Sequence, residues 1–215
     1  MIRPGEEWGS PTDSPPDLEV HGSDATLARA VGATPGALIR FVPDTTSDLA
    51  RAVGLGPGEP HGTAVPLDVL ALGDGTLAPN RCVIGTAPDR LRWSTPAIDL
   101  DIEIDGSPWF AGPATTVVIA TGQFLRGVDL VPRGHPGDGK AEIQAYELTR
   151  RERRPMRSRL PIGTHVPHPR IRQRTARTIV VRARSSAAYE VDGVARTPVG
   201  ELSIEVKPEA YRLLI

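Results

Sequence analysis

The hydrophobic pattern of this chain changes period near residues 56–62, and this change constrains the fold more than any other feature. Before it, a short apolar strand, a polar turn and a short helix follow one another twice, over residues 17–31 and 37–53. Such units normally build a parallel sheet covered by helices. After it, short apolar runs alternate with polar residues between glycines, prolines and aspartates, a pattern typical of antiparallel strands.

These patterns predict an α/β + β fold. A small Rossmann-like α/β domain is expected over residues 17–60 and an antiparallel β-sandwich over residues 61–208. The closing strand, residues 209–215, is expected to return to the first domain. Residues 1–16 contain four prolines and few apolar residues, which predicts a flexible arm. Within the sandwich, a meander of three strands is predicted, over residues 67–72, 77–84 and 98–104.

Composition excludes several classes of protein. A formal net charge of −1 argues against a nucleic-acid partner. Cys82 is the single cysteine, so no intrachain disulfide can form and a cysteine-built zinc site is not expected. No run of about 20 apolar residues occurs, and the first residues lack the apolar core of a signal peptide. The expected location is the cytoplasm, with peripheral membrane association as an alternative.

Positive charge is concentrated between Arg150 and Arg184, where 12 arginines face one acid, Glu152. One interpretation is a solvated surface. The other is contact with phosphates or an anionic membrane surface, because basic residues are attracted to acidic lipids. Trp93 and Trp109 are predicted to lie on strands as packing residues, with the wall of a lipid-facing groove as the alternative.

A glycine-rich loop follows the apolar strand at residues 117–120. Residues 123–139 contain four glycines, two prolines and two aspartates, and their length argues against a two-residue hairpin. Ordering such a segment costs conformational entropy. Loops of this kind often carry binding or catalytic residues, so a site is expected here.

The order of these segments resembles the diacylglycerol kinase-like lipid kinases over residues 17–215. Family members have a strand, a G-x-x-x-x-P loop ending in D-D-G, a later V-D-G-E and a closing strand. Here these are residues 117–120, the loop 127–139 ending in Gly-Asp-Gly, Val191-Asp192-Gly193, and residues 207–215. The resemblance implies a nucleotide-binding α/β domain followed by a β-sandwich that binds a membrane lipid.

Two turns resemble the nucleotide motifs of the family, G-G-D-G-T and G-T-G-N-D. They read GSDAT at residues 22–26 and DTTSD at residues 44–48. The resemblance implies that ATP phosphates are held by Gly22, Ser23, Asp24, Thr26, Thr45, Thr46, Ser47 and Asp48. Glycines are missing from both turns, so a narrower and stiffer cradle is expected. The family's opening strand, loop and helix have no counterpart, which indicates a truncated nucleotide domain.

The late Val-Asp-Gly motif implies a catalytic base. In the family, the aspartate of V-D-G-E takes the proton of the lipid hydroxyl and the glutamate holds it. Asp192 is at the position of that aspartate, and Val194 replaces the glutamate. Without a resemblance, Asp192-Gly193 is an ordinary hairpin turn.

A magnesium site is also implied by the resemblance. Asp138 matches a metal-binding aspartate, with the backbone carbonyls of Gly134 and Lys140 as further ligands, an oxygen-only set that suits Mg²⁺. Gly137 replaces the first aspartate of that motif. Asp68 matches an aspartate directed toward the metal network; the alternative is an outward-facing strand residue.

Three functions remain open at this stage. The first is ATP-dependent phosphorylation of a lipid hydroxyl, weakened or lost because the nucleotide motifs are eroded. The second is a non-catalytic module that binds lipid or protein through the basic region. The third is an enzyme completed by a second subunit, for example a homodimer that pairs the open sheet edge.

Overall fold

A computed structural model describes residues 8–56 and 62–215 of the chain. The strands are β1 (Ser10–Pro11), β2 (Leu18–Gly22), β3 (Leu38–Pro43), β4 (Thr63–Leu72), β5 (Leu77–Ala78), β6 (Arg81–Gly85), β7 (Ile98–Ile104), β8 (Ser107–Ala114), β9 (Thr116–Ala120), β10 (Phe124–Leu125), β11 (Val128–Asp129), β12 (Ala141–Tyr146), β13 (Ile171–Ala176), β14 (Thr178–Val191) and β15 (Val194–Leu214). The α-helices are α1 (Asp24–Ala33), α2 (Asp48–Ala52) and α3 (Arg150–Arg159), and 3₁₀ turns cover Pro88–Arg90 and Leu160–Ile162.

The first part of the chain is a small α/β layer. Strands β2 and β3 run parallel, and the end of β15 joins β3 in the same direction, with Arg212 opposite Leu38. Helices α1 and α2 bury Leu27 and Leu49 against these strands. Two strand-turn-helix units in succession place their turns at one edge of the parallel strands, where polar groups of both turns meet.

The rest of the chain is antiparallel and forms the predicted sandwich. The sheet runs in the order β1-β4-β15-β14-β6-β9-β12-β13, and β7 and β8 extend it from β14. Its core contains the apolar residues of β6, β7, β9, β12, β14 and β15. The α/β + β fold class is confirmed. One sheet passes through both parts, and the division into domains at residues 60 and 61 stays a prediction.

Strand β9 is buried on both faces, which explains its continuous apolar sequence. Val117 and Ile119 belong to the core of the sandwich, whereas Val118 and Ala120 belong to a second core beneath α3. Side chains alternate between the two faces of a strand, so burial on both faces removes the usual polar alternation.

The predicted meander is right for its first hairpin, in which β4 pairs with β5, and wrong for the strands that follow. Strand β5 ends at Ala78, and the chain then turns through Pro79 and Asn80 before β6 begins. Thr121 donates from its backbone N–H and its hydroxyl to the carbonyl of Asn80 and from its hydroxyl to that of Pro79. Strand β6 therefore pairs with β9 and β14, and not with its predecessor.

The flexible arm over residues 1–16 stays a prediction, although the part of it that the structure describes contacts the sheet. Ser10 pairs with Ala64 of β4, and Thr12 donates its backbone N–H to the carbonyl of Gly62. Trp8 packs on the core of the α/β layer and meets the ring of His135 edge-on, with ring centroids 4.7 Å apart. An apolar indole of this size anchors the segment. Residues 1–7 lie outside the described residues.

Across residues 8–56 and 62–215, no helix is both long enough and apolar enough to cross a membrane.

Candidate functional site

The two-residue turn between β14 and β15 carries Asp192. Val191 pairs with Val194, and Asp192 and Gly193 have φ angles of 46° and 81°, as a hairpin turn of this hand requires. Asp192 Oδ1 accepts a hydrogen bond of 2.8 Å from the backbone N–H of Arg81. The other oxygen, Oδ2, is buried and has no hydrogen-bond partner in the part of the chain that the structure describes.

This arrangement supplies a partner for the predicted base. Val194, in the position of the family's glutamate, is 43% exposed and cannot hold a carboxylate. The backbone N–H of Arg81 orients the Asp192 carboxyl instead, and the backbone N–H of Asp192 donates back to the Arg81 carbonyl at 3.0 Å. Asp192 is therefore both an ordinary hairpin residue and a fixed carboxyl group.

The pKa of Asp192 suits proton transfer near neutral pH. Burial and the negative charge of Asp24 raise it to about 7, against the opposing effect of the Arg81 guanidinium. A general base works best when its pKa is near the working pH, and such catalysis typically contributes about 10² to 10⁴-fold. The electrostatic requirement for a base is met.

A cleft of about 500 Å³ lies beside Asp192. Three segments line it: Ala25, Ala28, Arg29 and Gly32 of α1; Gly75, Thr76 and Leu77 after β4; and Val191, Asp192, Val194 and Arg196 of the hairpin. Two arginines thus face the same space as a partly ionised carboxyl group. The cleft also joins the first nucleotide-like turn, through Ala25, to the predicted base.

The remaining residues of the first turn make local contacts. Gly22 ends β2 with a φ angle of 122°, and Ser23 precedes α1 without a capping hydrogen bond from its side chain to a backbone N–H of that helix. The hydroxyl groups of Ser23 and Thr26 lie 3.5 Å apart. These three predicted phosphate ligands are partly buried and lie close to one another.

Asp24 binds the second turn and not the cleft. Its side chain is 4% exposed and accepts a very short hydrogen bond from the hydroxyl of Ser47. It also accepts from the backbone N–H groups of Asp48, at 3.2 Å, and Leu49, at 3.1 Å. Burial raises its pKa, although these hydrogen bonds oppose the shift. The carboxyl group thus lies where a helix would otherwise bind an anion.

The backbone donors of the second turn are occupied in the same way. The N–H of Thr46 binds Asp44 Oδ1 at 2.8 Å, that of Ser47 binds the Asp44 carbonyl at 3.3 Å, and that of Ala50 binds Ser47 Oγ at 3.0 Å. Together with the two donors to Asp24, five consecutive N–H groups, of residues 46–50, have acceptors within the chain. Thr45 and Thr46 have exposed side chains. This turn does not fit a nucleotide phosphate.

Asp48 holds the glycine-rich loop. Its Oδ2 and Oδ1 accept from the backbone N–H groups of Arg126, at 2.6 Å, and Gly127, at 2.8 Å, and Oδ2 pairs with Arg81 at 2.7 Å. Arg126 and Gly127 form the turn between β10 and β11. The connection between β9 and β12 is a long loop and not a two-residue hairpin, as predicted; a small hairpin lies within it, and Asp48 stabilises that hairpin.

Asp68 holds the far end of the same loop. It is completely buried, and it accepts hydrogen bonds from the backbone N–H groups of Gly139, at 2.7 Å, and Glu209, at 2.9 Å. Burial is the largest of the effects that raise its pKa to about 6. The alternative of an outward-facing strand residue is wrong. Asp68 instead joins the loop to the irregular part of β15.

The predicted magnesium ligands form a poor set. Asp138 Oδ1 accepts from the backbone N–H of Lys140 at 3.0 Å. Among residues 8–56 and 62–215, no three His, Cys, Asp or Glu side chains are grouped to hold a metal ion. A single carboxylate with carbonyls, including that of Gly134, does not fit a tight Mg²⁺ site. Metal binding by Asp138, Gly134 and Lys140 stays a prediction.

Trp8 explains the glycine at position 137. A Cβ atom there would lie 2.8 Å from the carbonyl oxygen of Pro66 and 2.9 Å from Nε1 of Trp8. Both distances are shorter than non-bonded contacts allow, so the aspartate of the family motif has no room. The backbone of β4 and the ring of Trp8 together leave no space for a side chain at this position.

The sequence patterns do not predict two arginines of the site. Arg81 is 4% exposed and pairs with Asp48, and its N–H binds Asp192. Its place at the start of an apolar strand was a usable signal, because a buried charge requires a partner. Arg126 binds Asp89 at 2.7 Å and Glu190 at 2.8 Å. No local pattern marks Arg126, since its partners come from distant segments.

The fold is a small α/β layer that meets a β-sandwich, with a buried acidic site where the two parts meet. The family model for the YegS C-terminal NAD kinase beta sandwich-like domain matches residues 89–215, more than half of the chain. The chain belongs to this family, and its resemblance to the diacylglycerol kinase-like proteins is confirmed.

Solved structures agree with this assignment. A putative diacylglycerol kinase from Bacillus anthracis str. Sterne has a TM-score of 0.76 at 16% identity, covering 92% of this chain and 76% of that one. A second putative diacylglycerol kinase from that strain has a TM-score of 0.74 at 15% sequence identity, and the match covers 92% of this chain and 78% of that one. An NAD kinase from Archaeoglobus fulgidus in complex with ATP has a TM-score of 0.53 at 15% sequence identity, and the match covers 93% of this chain and 78% of that one. No curated protein matches the sequence.

Proposed function

We propose that this chain is a diacylglycerol kinase-like protein in which ATP-dependent phosphorylation of a lipid hydroxyl is weak or lost. One observation carries the proposal: the N–H groups of residues 46–50 all bind acceptors of the chain itself. Phosphoryl transfer depends chiefly on positioning and on electrostatic stabilisation of the phosphates. A turn in which five consecutive N–H groups are already occupied provides little of either.

The other half of the catalytic apparatus supports descent from an active kinase. Asp192 lines the cleft, and its buried Oδ2 has no hydrogen-bond partner among the described residues, so this oxygen would accept the proton of a bound hydroxyl group once it is uncovered. The Arg81 N–H fixes the orientation of that carboxyl group. Arg29 and Arg196 line the same cleft and can stabilise negative charge on a bound group.

The second candidate function is a non-catalytic lipid-binding module. The cleft beside Asp192 supports it, because its wall combines the apolar side chains of Ala25, Leu77 and Val194 with the two arginines. A lipid with an anionic headgroup has matching chemistry. In this case the cleft binds lipid without nucleotide, and Asp192 contributes only to the shape and charge of the site.

A phosphoryl-transfer assay tests the proposal. The purified protein is incubated with radiolabelled ATP, Mg²⁺ and diacylglycerol in mixed micelles, and labelled phosphatidic acid is measured. We expect a rate no higher than that of Asp192→Asn, which removes the base but keeps the hydrogen bond to Arg81. Turnover near the enzyme median of about 10 s⁻¹, abolished by Asp192→Asn, would contradict the loss of activity.

A further inference from the structure

A basic cleft of about 600 Å³ lies between α3 and the loop of residues 91–95. Helix α3 contributes residues spaced by three or four positions, so that they share one face of the helix: Arg150, Arg153, Arg154 and Arg157. Arg92 and Trp93 line the opposite side. None of these residues belongs to the cleft beside Asp192.

Two of the helix arginines fix the loop. Nη1 of Arg153 donates to the carbonyls of Arg92, Trp93 and Thr95, at 3.0, 2.9 and 2.7 Å. Nη1 of Arg157 donates to the carbonyl of Leu91 at 3.0 Å. The loop is therefore held by charge-assisted hydrogen bonds, which are stronger than those between neutral groups.

Trp93 stands exposed on this fixed loop. Its side chain is 59% exposed, so the prediction that it is a packing residue on a strand is wrong. Ile162, next to Pro161 of the cleft wall, is 71% exposed. Exposed apolar side chains that form one surface rimmed by polar residues are typical of protein- or membrane-contact sites.

The charges around these two side chains are positive. Arg92, Arg150 and Arg154 are exposed, and none pairs with a carboxylate of the described residues. Asp89 is the acid that lines the cleft, and Arg126 binds both of its oxygens, at 2.7 and 2.9 Å. Its charge is therefore compensated, and the cleft attracts anions.

We propose that this cleft docks the protein on an anionic bilayer surface. Trp93 and Ile162 enter the interfacial region, and Arg92, Arg150 and Arg154 bind the phosphates of acidic lipids. Tryptophan prefers this depth because its ring is apolar and its N–H is polar, and arginine extends its charge to the headgroups. The inference goes beyond the proposed function and does not depend on nucleotide binding.

The structure also separates these arginines from the others of the basic region. Arg172 pairs with Glu147 at 2.7 Å, and Arg182 pairs with Glu103 at 2.6 Å and with Glu201 at 2.8 Å. The charges of Arg172 on β13 and Arg182 on β14 are thus compensated. Membrane contact is assigned to the α3 end of the region between Arg150 and Arg184.

Vesicle flotation without nucleotide tests the proposal. The probes are vesicles of phosphatidylcholine alone and of phosphatidylcholine with about one third phosphatidylglycerol, an acidic lipid that attracts each nearby basic residue. Three variants are compared with the unmodified chain: Trp93→Ala, the charge reversal Arg150→Glu/Arg154→Glu, and the matched reversal Arg174→Glu/Arg184→Glu on exposed positions of β13 and β14. Both reversals change the net charge equally.

We expect binding to the acidic vesicles only, with a partition coefficient at least about ten-fold lower for Arg150→Glu/Arg154→Glu and clearly lower for Trp93→Ala. The matched reversal should bind as the unmodified chain does. Absence of binding to acidic vesicles, or equal losses in both reversals, would overturn the assignment. Binding of a short RNA duplex through the same arginines without vesicle binding would overturn it as well. Failure of the kinase assay affects none of these results.

Discussion

Asp48→Ala should lower the free energy of unfolding by about 3–5 kcal/mol, the usual cost of removing one partner of a buried ion pair. The Arg81 guanidinium, 4% exposed, would lose its carboxylate partner. The backbone N–H groups of Arg126 and Gly127 would lose their acceptor at the same time. Urea denaturation followed by circular dichroism measures the change, and the loop hairpin should become sensitive to protease.

Two controls separate the ion pair from a general effect of substitution. Asp44→Ala removes an exposed acid from the same turn and should cost less than about 1 kcal/mol, as a side-chain hydrogen bond near a helix start does. The double variant Asp48→Leu/Arg81→Met replaces the buried pair by apolar side chains and should recover much of the loss. A cost below about 1 kcal/mol for Asp48→Ala would show that the pair is not buried as described.

Asp192→Asn should stabilise the protein at neutral pH. Burial raises the pKa of Asp192 from 3.8 to about 7, so the folded chain binds more protons than the unfolded chain between these values. Stability from this group is therefore complete below pH 3.8 and is lost as the pH rises toward 7. Each pKa unit corresponds to about 1.4 kcal/mol. We expect a gain on the order of 2–4 kcal/mol at pH 7 that shrinks toward zero at pH 4, measured by urea denaturation at both values.

Asp74→Asn, in the neighbouring turn, provides a control of opposite sign. Burial opposes ionisation of Asp74, but hydrogen bonds from Thr76 and Tyr189 lower its pKa overall. A depressed pKa stabilises the fold above pH 3.8, so this substitution should destabilise the protein at pH 7. If Asp192→Asn also destabilises it at pH 7, the carboxyl group is not buried in the way described.

The hydrophobic pattern was enough to predict the fold class. Two short strand-turn-helix units predict the parallel layer. Apolar residues that alternate with polar ones, such as Leu202, Ile204 and Val206, predict the antiparallel part. Strand pairing was predicted less well, because it depends on long-range contacts. The break at Pro79 directs β6 to β9, and only the three-dimensional arrangement identifies that partner.

The candidate site also contains residues that local sequence predicts and residues that only long-range contacts reveal. Asp192 could be found from its motif, and its hairpin is local. The occupied N–H groups of the second turn could not be predicted, because the contacts around that turn join distant residues. Asp24 and Ser47 are 23 residues apart, and Asp48 and Arg126 are 78 residues apart. Trp8 lies beside Gly137, and no sequence pattern in either segment predicts that contact. The aspartates predicted to bind phosphate and metal accept hydrogen bonds from the N–H groups of nearby turns, and no local sequence pattern shows these contacts.

A calorimetric titration with Mg·ATP tests the central claim most directly. Because the five N–H groups of residues 46–50 are occupied and the Asp24 carboxylate binds the start of α2, we predict no saturable heat up to about 1 mM ATP, the upper end of typical substrate affinities. Saturable binding at micromolar ATP, lost in Asp24→Ala or Thr46→Pro, would contradict the account and restore this turn as a working nucleotide site.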